Sequence, residues 1–156
     1  MKQNPDDRMT KMHPQDLPEA VTALYLRLNG FLLQDWYSTL KQRDWRKSDI
    51  DCLAVWHPFH DQSEREVDTD PFLELGARRE LLLCEIKSSN AALSFNEPLR
   101  TDPTALDSVL RWSGLVPPAQ INETVERLLP HLQDGTTIEE VKAGIEVGDV
   151  RIRALL

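Results

Sequence analysis

The sequence has few cysteines, no long apolar run and fewer basic than acidic side chains. Two cysteines in 156 residues cannot build a disulfide scaffold or a four-cysteine zinc site. No apolar run approaches the roughly 18 residues needed to cross a bilayer. The first residues also lack the apolar segment of a signal peptide. We therefore expect no membrane span and no secreted disulfide-rich fold, and the cytoplasm is the expected location.

The balance of charge limits the classes of partner. There are 26 acidic against 18 basic side chains, which gives a net charge of −8. This argues against a simple electrostatic nucleic-acid binder, because such domains are usually basic. It does not argue against an enzyme that gathers carboxylates around a metal, since net charge governs non-specific association rather than the chemistry of a site.

The length and the hydrophobic pattern predict one α/β domain. Residues 1–15 are polar and contain prolines, so we interpret them as a flexible tail before a single domain at 16–156. Periodicity and capping residues predict helices at 16–28, 102–114 and 121–132, a short helix after Thr137, and strands at 31–37, 49–56, 80–88 and 150–156. The result is a mixed sheet flanked by helices. The chain ends at a strand, which leaves open that further protein followed it.

The segment 57–79, between the second and third predicted strands, is rich in acidic residues. It is long for a loop in a compact domain, and loops of this length are usually functional or mobile. The pattern favours a role as a gate or as a partner-binding segment without deciding between them.

Charged residues stand in two strands that are otherwise apolar. Asp49 and Asp51 are two residues apart, so they share one face of a strand, and the same spacing puts Glu85 and Lys87 on one face of the next. The segment 80–88 is too apolar for an edge strand, and a charged pair there is costly to bury without partners. If the strands are neighbours, Asp51, Glu85 and Lys87 converge at one edge of the sheet.

This combination suits metal-assisted hydrolysis of a phosphodiester. Two carboxylates with an open coordination sphere favour Mg²⁺ or Mn²⁺, because these ions take oxygen ligands and Mg²⁺ retains several waters. A lysine beside the metal can position or deprotonate the attacking water and stabilise charge on the phosphoryl group.

With Asp51 and Glu85-Ile86-Lys87 in this element order, the chain resembles the PD-(D/E)XK nuclease superfamily over about residues 17–156. That superfamily has a restriction-endonuclease-like fold with an αβββαβ core. The segments 25–31, 49–55 and 110–115 look like a bacterial group of that fold. Ile50 stands where the family name has proline, and the acidic loop lengthens the gap between Asp51 and Glu85.

The resemblance implies metal-dependent cleavage of nucleic acid, with DNA ahead of RNA as the substrate. It assigns Asp51 and Glu85 to a Mg²⁺ or Mn²⁺ ion, with the Ile86 carbonyl completing the site. Lys87 becomes the catalytic lysine. Many members add a glutamate from the first helix, and Glu19 is the glutamate on that helix.

Other interpretations of single residues stay open. Glu19 follows Asp16 at the spacing of a capping box, which explains it without a metal. Asp49 is interpreted as the first residue of a strand or as a helper residue of the site, rather than as a metal ligand. His57 and His60, with Asp61 beside them, are spaced like metal ligands, but without a third strong ligand they are interpreted as loop residues rather than a zinc site.

Two further groups have both a structural and a functional interpretation. Cys52 and Cys84 lie in apolar strands, where buried core thiols are favoured over a redox pair. The segment 41–47 is basic and could contact phosphate, with Trp36 or Trp45 stacking on a base, or could be a solvated loop. The basic side chains that we assign to nucleic-acid binding are Lys41, Arg43, Arg46 and Lys47.

The leading hypothesis is therefore a metal-dependent nuclease. The alternative is a non-catalytic nuclease-like domain that serves as a binding or assembly module, which the net charge of −8 favours. A third hypothesis is an enzyme fragment completed by a partner subunit. A homodimer is a further expectation, because many nucleases cut two strands as dimers.

Overall fold

The chain folds into helices packed around one mixed β-sheet. The computed structural model describes residues 16–38, 49–60, 62–63, 65–87 and 94–156. In these ranges the helices are α1 (Asp16–Leu28), α2 (Glu97–Thr101), α3 (Pro103–Ser113), α4 (Ile121–Leu128) and α5 (Ile138–Ala143). The strands are β1 (Leu32–Ser38), β2 (Asp49–Trp56), β3 (Arg79–Cys84), β4 (Ile145–Val147) and β5 (Val150–Leu155). Short 3₁₀ turns lie at Pro71–Leu73, Pro118–Gln120 and Leu129–Leu132.

The five strands form a single sheet in the order β1-β2-β3-β5-β4. The pairs β1–β2, β2–β3 and β4–β5 are antiparallel, whereas β3 and β5 run parallel. The parallel pair requires a crossover, which α2, α3 and α4 supply. Strand β3 has a neighbour on both sides, so the prediction that it is not an edge strand is confirmed.

Each face of the sheet has its own apolar core. Alternate residues of a strand point to opposite faces, so one apolar set packs against α3 and α4 and the other against α1. The first core contains Leu53, Leu81, Leu83 and Ile152 with Leu106, Leu110, Val125 and Leu128 of the helices. The second contains Cys52, Ala54, Leu82 and Cys84 with Leu26 of α1 and Leu73.

The described part of the loop between β2 and β3 makes hydrogen bonds to α1, to the residue that follows α1 and to β5. The Tyr25 hydroxyl donates a 2.8 Å hydrogen bond to Asp70 Oδ2, and the Asp70 amide donates to Asn29 Oδ1 at 2.7 Å. Burial of the phenol, followed by its interaction with Asp70, raises the pKa of Tyr25 to about 12. Further along, the Leu73 carbonyl accepts a hydrogen bond from Arg153 Nη1 at 2.9 Å. The second half of this acidic loop is therefore an anchored part of the fold.

A buried ion cluster joins β3 to β5 on the side of α1. Glu80 is 1% exposed and accepts a 2.7 Å hydrogen bond from Arg151 Nε. Arg153, 2% exposed, has Nε 3.1 Å from Glu80 Oε2, which is an ion-pair distance without hydrogen-bond geometry. Burial raises the pKa of Glu80 although both guanidiniums oppose the shift, and it lowers the pKa of Arg153. No pattern in the sequence predicts this cluster.

Most predicted elements are observed within a residue or two of their predicted bounds. The capping box of Thr137 and Glu140 is confirmed, with both reciprocal hydrogen bonds formed at the start of α5. Helix α2 and strand β4 were not predicted, because segments of five and three residues are too short to show a period. Strand β3 ends at Cys84 instead of Ser88. The predicted tail, residues 1–15, lies outside the described residues.

Candidate functional site

The carboxylate of Asp51 binds the main chain where β3 leaves the sheet. Cys52 pairs with Cys84 in the antiparallel register, so the next positions outward are Asp51 and Glu85. There the Ile86 amide donates a 2.7 Å hydrogen bond to Asp51 Oδ2. This side-chain acceptor lies just past Cys84, where β3 ends short of the predicted Ser88. Asp51 and the Glu85-Ile86 segment lie together, as the sequence predicts.

Glu85 and Lys87 form a buried ion pair beside Asp51. Glu85 is 3% exposed, and its Oε1 accepts a hydrogen bond from Lys87 Nζ. A charge at this depth requires compensation, and the ammonium of Lys87 supplies it. The Lys87 side chain remains 23% exposed, so the pair is accessible from solvent on the lysine side. The predicted sharing of one face by these two residues is confirmed.

Asn96 is a residue of this site that the sequence analysis missed. It is the N-cap of α2, yet its side chain makes no capping hydrogen bond to that helix. Its Nδ2 instead donates to Glu85 Oε2 at 3.2 Å. An asparagine before Glu97-Pro98 is a recognisable helix start. Its contact with Glu85 depends on tertiary packing and has no sequence signal.

The donor set is compatible with a hard divalent cation. Asp51 Oδ2 accepts the hydrogen bond from the Ile86 amide, and Asp51 Oδ1 takes no part in that hydrogen bond. Mg²⁺ and Mn²⁺ accept carboxylate oxygens, and Mg²⁺ commonly takes only one or two of them while keeping waters. Among the described residues, no three His, Cys, Asp or Glu side chains form a group that could hold a metal. Both Glu85 oxygens already accept hydrogen bonds, from Lys87 and Asn96, so a metal held by Asp51 and Glu85 stays a prediction.

A cavity of about 840 Å³ opens beside the ion pair. Glu85, Ile86 and Lys87 contribute to its wall, together with residues of α1, α5, the end of β5 and the turns around Phe72 and His131. The site is thus the mouth of a concave region and not an isolated surface pair.

The other predicted site residues have different outcomes. Glu19 lies in α1 and is partly buried, and its role as a metal ligand stays a prediction. Asp49 begins β2, as predicted for a strand-start residue. The predicted phosphate contacts lie in 39–48, outside the described residues; these are Lys41, Arg43, Arg46 and Lys47.

The histidines and cysteines are involved in local structure. His60 Nδ1 is 2.9 Å from the His57 carbonyl oxygen, and its ring packs edge-on against Trp56. Cys52 and Cys84 are free, buried and opposite each other in the ladder, which confirms the interpretation as core thiols. A hydrogen bond between the two thiols, together with burial, raises the pKa of Cys84 well above its ordinary value.

Comparison with models of known protein families, with curated proteins and with solved structures finds no match. In the part of the chain that the structure describes, no helix combines the length and the apolar character required to cross a membrane.

Proposed function

We propose that this chain is a divalent-metal-dependent phosphodiester hydrolase, a nuclease acting on DNA. The observation that carries the proposal is the hydrogen bond from the Ile86 amide to Asp51, because it fixes the Asp51 carboxylate on the main chain between Glu85 and Lys87. Two carboxylates and a lysine, of which Glu85 and Lys87 line a cavity, are groups that metal-assisted hydrolysis uses.

Each residue then has a defined task. Asp51 and Glu85 would hold the Mg²⁺ or Mn²⁺ ion, with the Ile86 carbonyl as the third protein ligand that the resemblance implies. Such an ion would supply polarisation of the phosphodiester and a water of lowered pKa. Lys87 orients that water or neutralises the phosphoryl oxygens, and Asn96 holds the Glu85 carboxylate through Oε2.

The architecture supports the same proposal. One helix, three strands, a helical crossover and the strands β4 and β5 follow each other along the chain, with β3 inside a mixed sheet. Apart from the short β4, this is the order that the resemblance to the restriction-endonuclease-like fold implies. We therefore include that fold, and a cytoplasmic location, in the proposal.

The alternative is a binding or assembly module with the same fold and no catalysis. It is favoured by the net charge of −8 and by the contacts that both Glu85 oxygens already make with Lys87 and Asn96. Dimerisation, or completion by a partner subunit, is compatible with both functions and is measured by light scattering.

Cleavage of a mixed substrate panel tests the proposal. Supercoiled plasmid, linear duplex, single-stranded DNA, branched DNA and RNA are incubated with Mg²⁺, Mn²⁺ or EDTA. We expect cutting that needs the metal and falls about a hundredfold or more in Lys87→Ala, because a positioned acid–base group contributes at least that factor. Asp51→Asn should lose the activity together with Mn²⁺ binding in calorimetry.

A matched control is Asp107→Asn, which alters a carboxylate that is paired with Arg111 on α3, away from the site. It should cut at the wild-type rate. Undiminished cutting by Lys87→Ala would overturn the mechanism. A folded protein with neither cutting nor Mn²⁺ binding would favour the non-catalytic module.

A further inference from the structure

The cavity next to the ion pair is much larger than a metal site needs. Its volume of about 840 Å³ lies in the range of pockets that bind organic ligands, roughly 300–1,000 Å³. It extends from Glu85 and Lys87 between α1 and α5, over the ends of β3 and β5. A ligand in this space would touch the proposed catalytic pair at one end.

Basic side chains outnumber acidic ones in the cavity wall. Among the described residues that line it, Glu85 is the one acidic side chain, against Lys87, Lys142 and Arg153. Each of these cations is paired with a glutamate, but Arg153 Nη2 finds no hydrogen-bond partner in the described structure. The wall therefore offers charged hydrogen-bond donors to an anionic ligand.

The same wall presents exposed apolar side chains. Phe72 is 57% exposed and Val21 of α1 is 56% exposed, and both line the cavity. Lys142 Nζ lies 4.6 Å from the centre of the Phe72 ring and 2.9 Å from Glu74 Oε1. The ammonium lies over one face of the Phe72 ring, so a base would stack on the opposite face, with Lys142 placed to contact its phosphate.

We propose that this cavity binds unpaired nucleotides next to the scissile phosphodiester, with a base stacked on Phe72 and the backbone directed to Lys142 and Lys87. In an intact duplex the faces of each base are covered by its neighbours, so a base can reach Phe72 only in a single strand or a frayed end. The preferred substrate class is therefore single-stranded DNA. This inference rests on the proposed nuclease function for the position of the scissile bond.

Binding measured without cleavage tests the assignment. A labelled single-stranded oligonucleotide of about 12 nucleotides and a blunt duplex of the same sequence are titrated in EDTA, with anisotropy as the readout. We expect the single strand to bind more tightly than the duplex. We expect Phe72→Ala to weaken binding about tenfold, because stacking on an aromatic ring contributes this much per base. Phe72→Trp should retain wild-type affinity.

The control is Phe59→Ala, which removes a 92% exposed ring outside the cavity and should leave the affinity unchanged. Equal affinity for the two substrates, or binding by Phe72→Ala within twofold of wild type, overturns the inference.

The two proposals fail in different ways. Suppose that metal-dependent cutting is equally fast on blunt duplex and on single strand, and that Phe72→Ala cuts at the wild-type rate. This result overturns the present inference but leaves the nuclease function intact. Phe72-dependent binding of the single strand, without cutting under any metal, supports the cavity assignment and removes the catalytic function.

Discussion

Strand β3 and the residue after it provide two buried glutamates in contrasting environments. Glu80 is 1% exposed, and its partner Arg153 has a side chain that is only 3% exposed. Glu85 is 3% exposed, but the side chain of its partner Lys87 is 23% exposed and lines a cavity. Burial of a carboxylate is therefore not by itself a sign of chemistry. The distinguishing feature is the exposure of its partner's side chain, because Arg153 and Lys87 both line the cavity.

The two clusters also differ in what they hold together. Around Glu80, the guanidiniums of Arg151 and Arg153 donate to the carbonyls of Glu74 and Leu73, at 2.7 and 2.9 Å, and so fasten the preceding loop to β5. Around Glu85, the contacts arrange side chains at the mouth of the cavity. We therefore expect mutations of Glu80 to act on stability and mutations of Glu85 to act on function.

The largest effect is expected from Glu80→Ala. Removal of this carboxylate leaves the buried charge of Arg153 uncompensated, which typically costs about 3–5 kcal/mol. Glu85→Ala should cost about 1–2 kcal/mol, since Lys87 can turn towards water. Urea unfolding followed by circular dichroism measures both free energies of unfolding. Equal losses in the two variants would remove the proposed division between a structural and a functional glutamate.

The next effect concerns activity. Glu85→Gln should reduce metal-dependent cutting by about a hundredfold or more, because an uncharged amide is a poor ligand for a hard cation. Its free energy of unfolding should stay within about 1 kcal/mol of wild type. Glu80→Gln is the matched control and should cut at the wild-type rate under conditions in which it is folded. A comparable loss of cutting in the control would mean that the two clusters are not separable.

A smaller effect is expected at Asp51, where substitutions distinguish positioning from metal binding. Asp51→Ala leaves the Ile86 amide without its acceptor, which should cost about 1–2 kcal/mol. Asp51→Asn retains an oxygen that can accept this hydrogen bond, so its loss of stability should be smaller. Unfolding free energies and hydrogen exchange of the Ile86 amide measure the difference. If both variants lose stability equally, the hydrogen bond does not define the end of β3.

The sequence was sufficient to predict the strand that carries Asp51 and the interior strand that ends just before Glu85. Spacing of two residues determines which side chains share a strand face, and the apolar run before Glu85 indicates an interior strand. The contact of the Asp51 carboxylate with the Ile86 amide depends on the register between β2 and the end of β3. Register is set by how the two strands pair, and a single sequence does not specify that pairing.

The remainder of the site depends on long-range packing. Arg151 and Arg153 alternate with Ile152, and this pattern predicts a charged strand face without naming its acidic partner. Glu80 becomes that partner only because β3 and β5 run parallel with Glu80 opposite Arg151. Asn96 contacts Glu85 for a similar reason. The position of α2 depends on how the helix packs against the rest of the fold, which its local sequence does not specify.

The smallest predicted effect is a pH dependence in the loop that precedes Glu80. The folded-state pKa of Tyr25 is raised from 10 to about 12, mainly by burial and also by Asp70. A raised pKa means that the protonated phenol stabilises the fold fully below pH 10, and that this contribution is lost as pH rises towards 12. Because water screens this partly buried pair, the loss should not exceed about 1 kcal/mol.

A Tyr37→Phe background leaves Tyr25 as the single tyrosine, so that phenolate absorbance reports its ionisation directly. Unfolding free energies of Tyr37→Phe and of the double variant with Tyr25→Phe, measured from neutral pH to pH 12, give the stability contribution of the phenol. The two curves should converge above pH 10. Ionisation near pH 10 with parallel curves would mean that Asp70 and burial do not hold this phenol, and that the loop before β3 is fastened by the arginines alone.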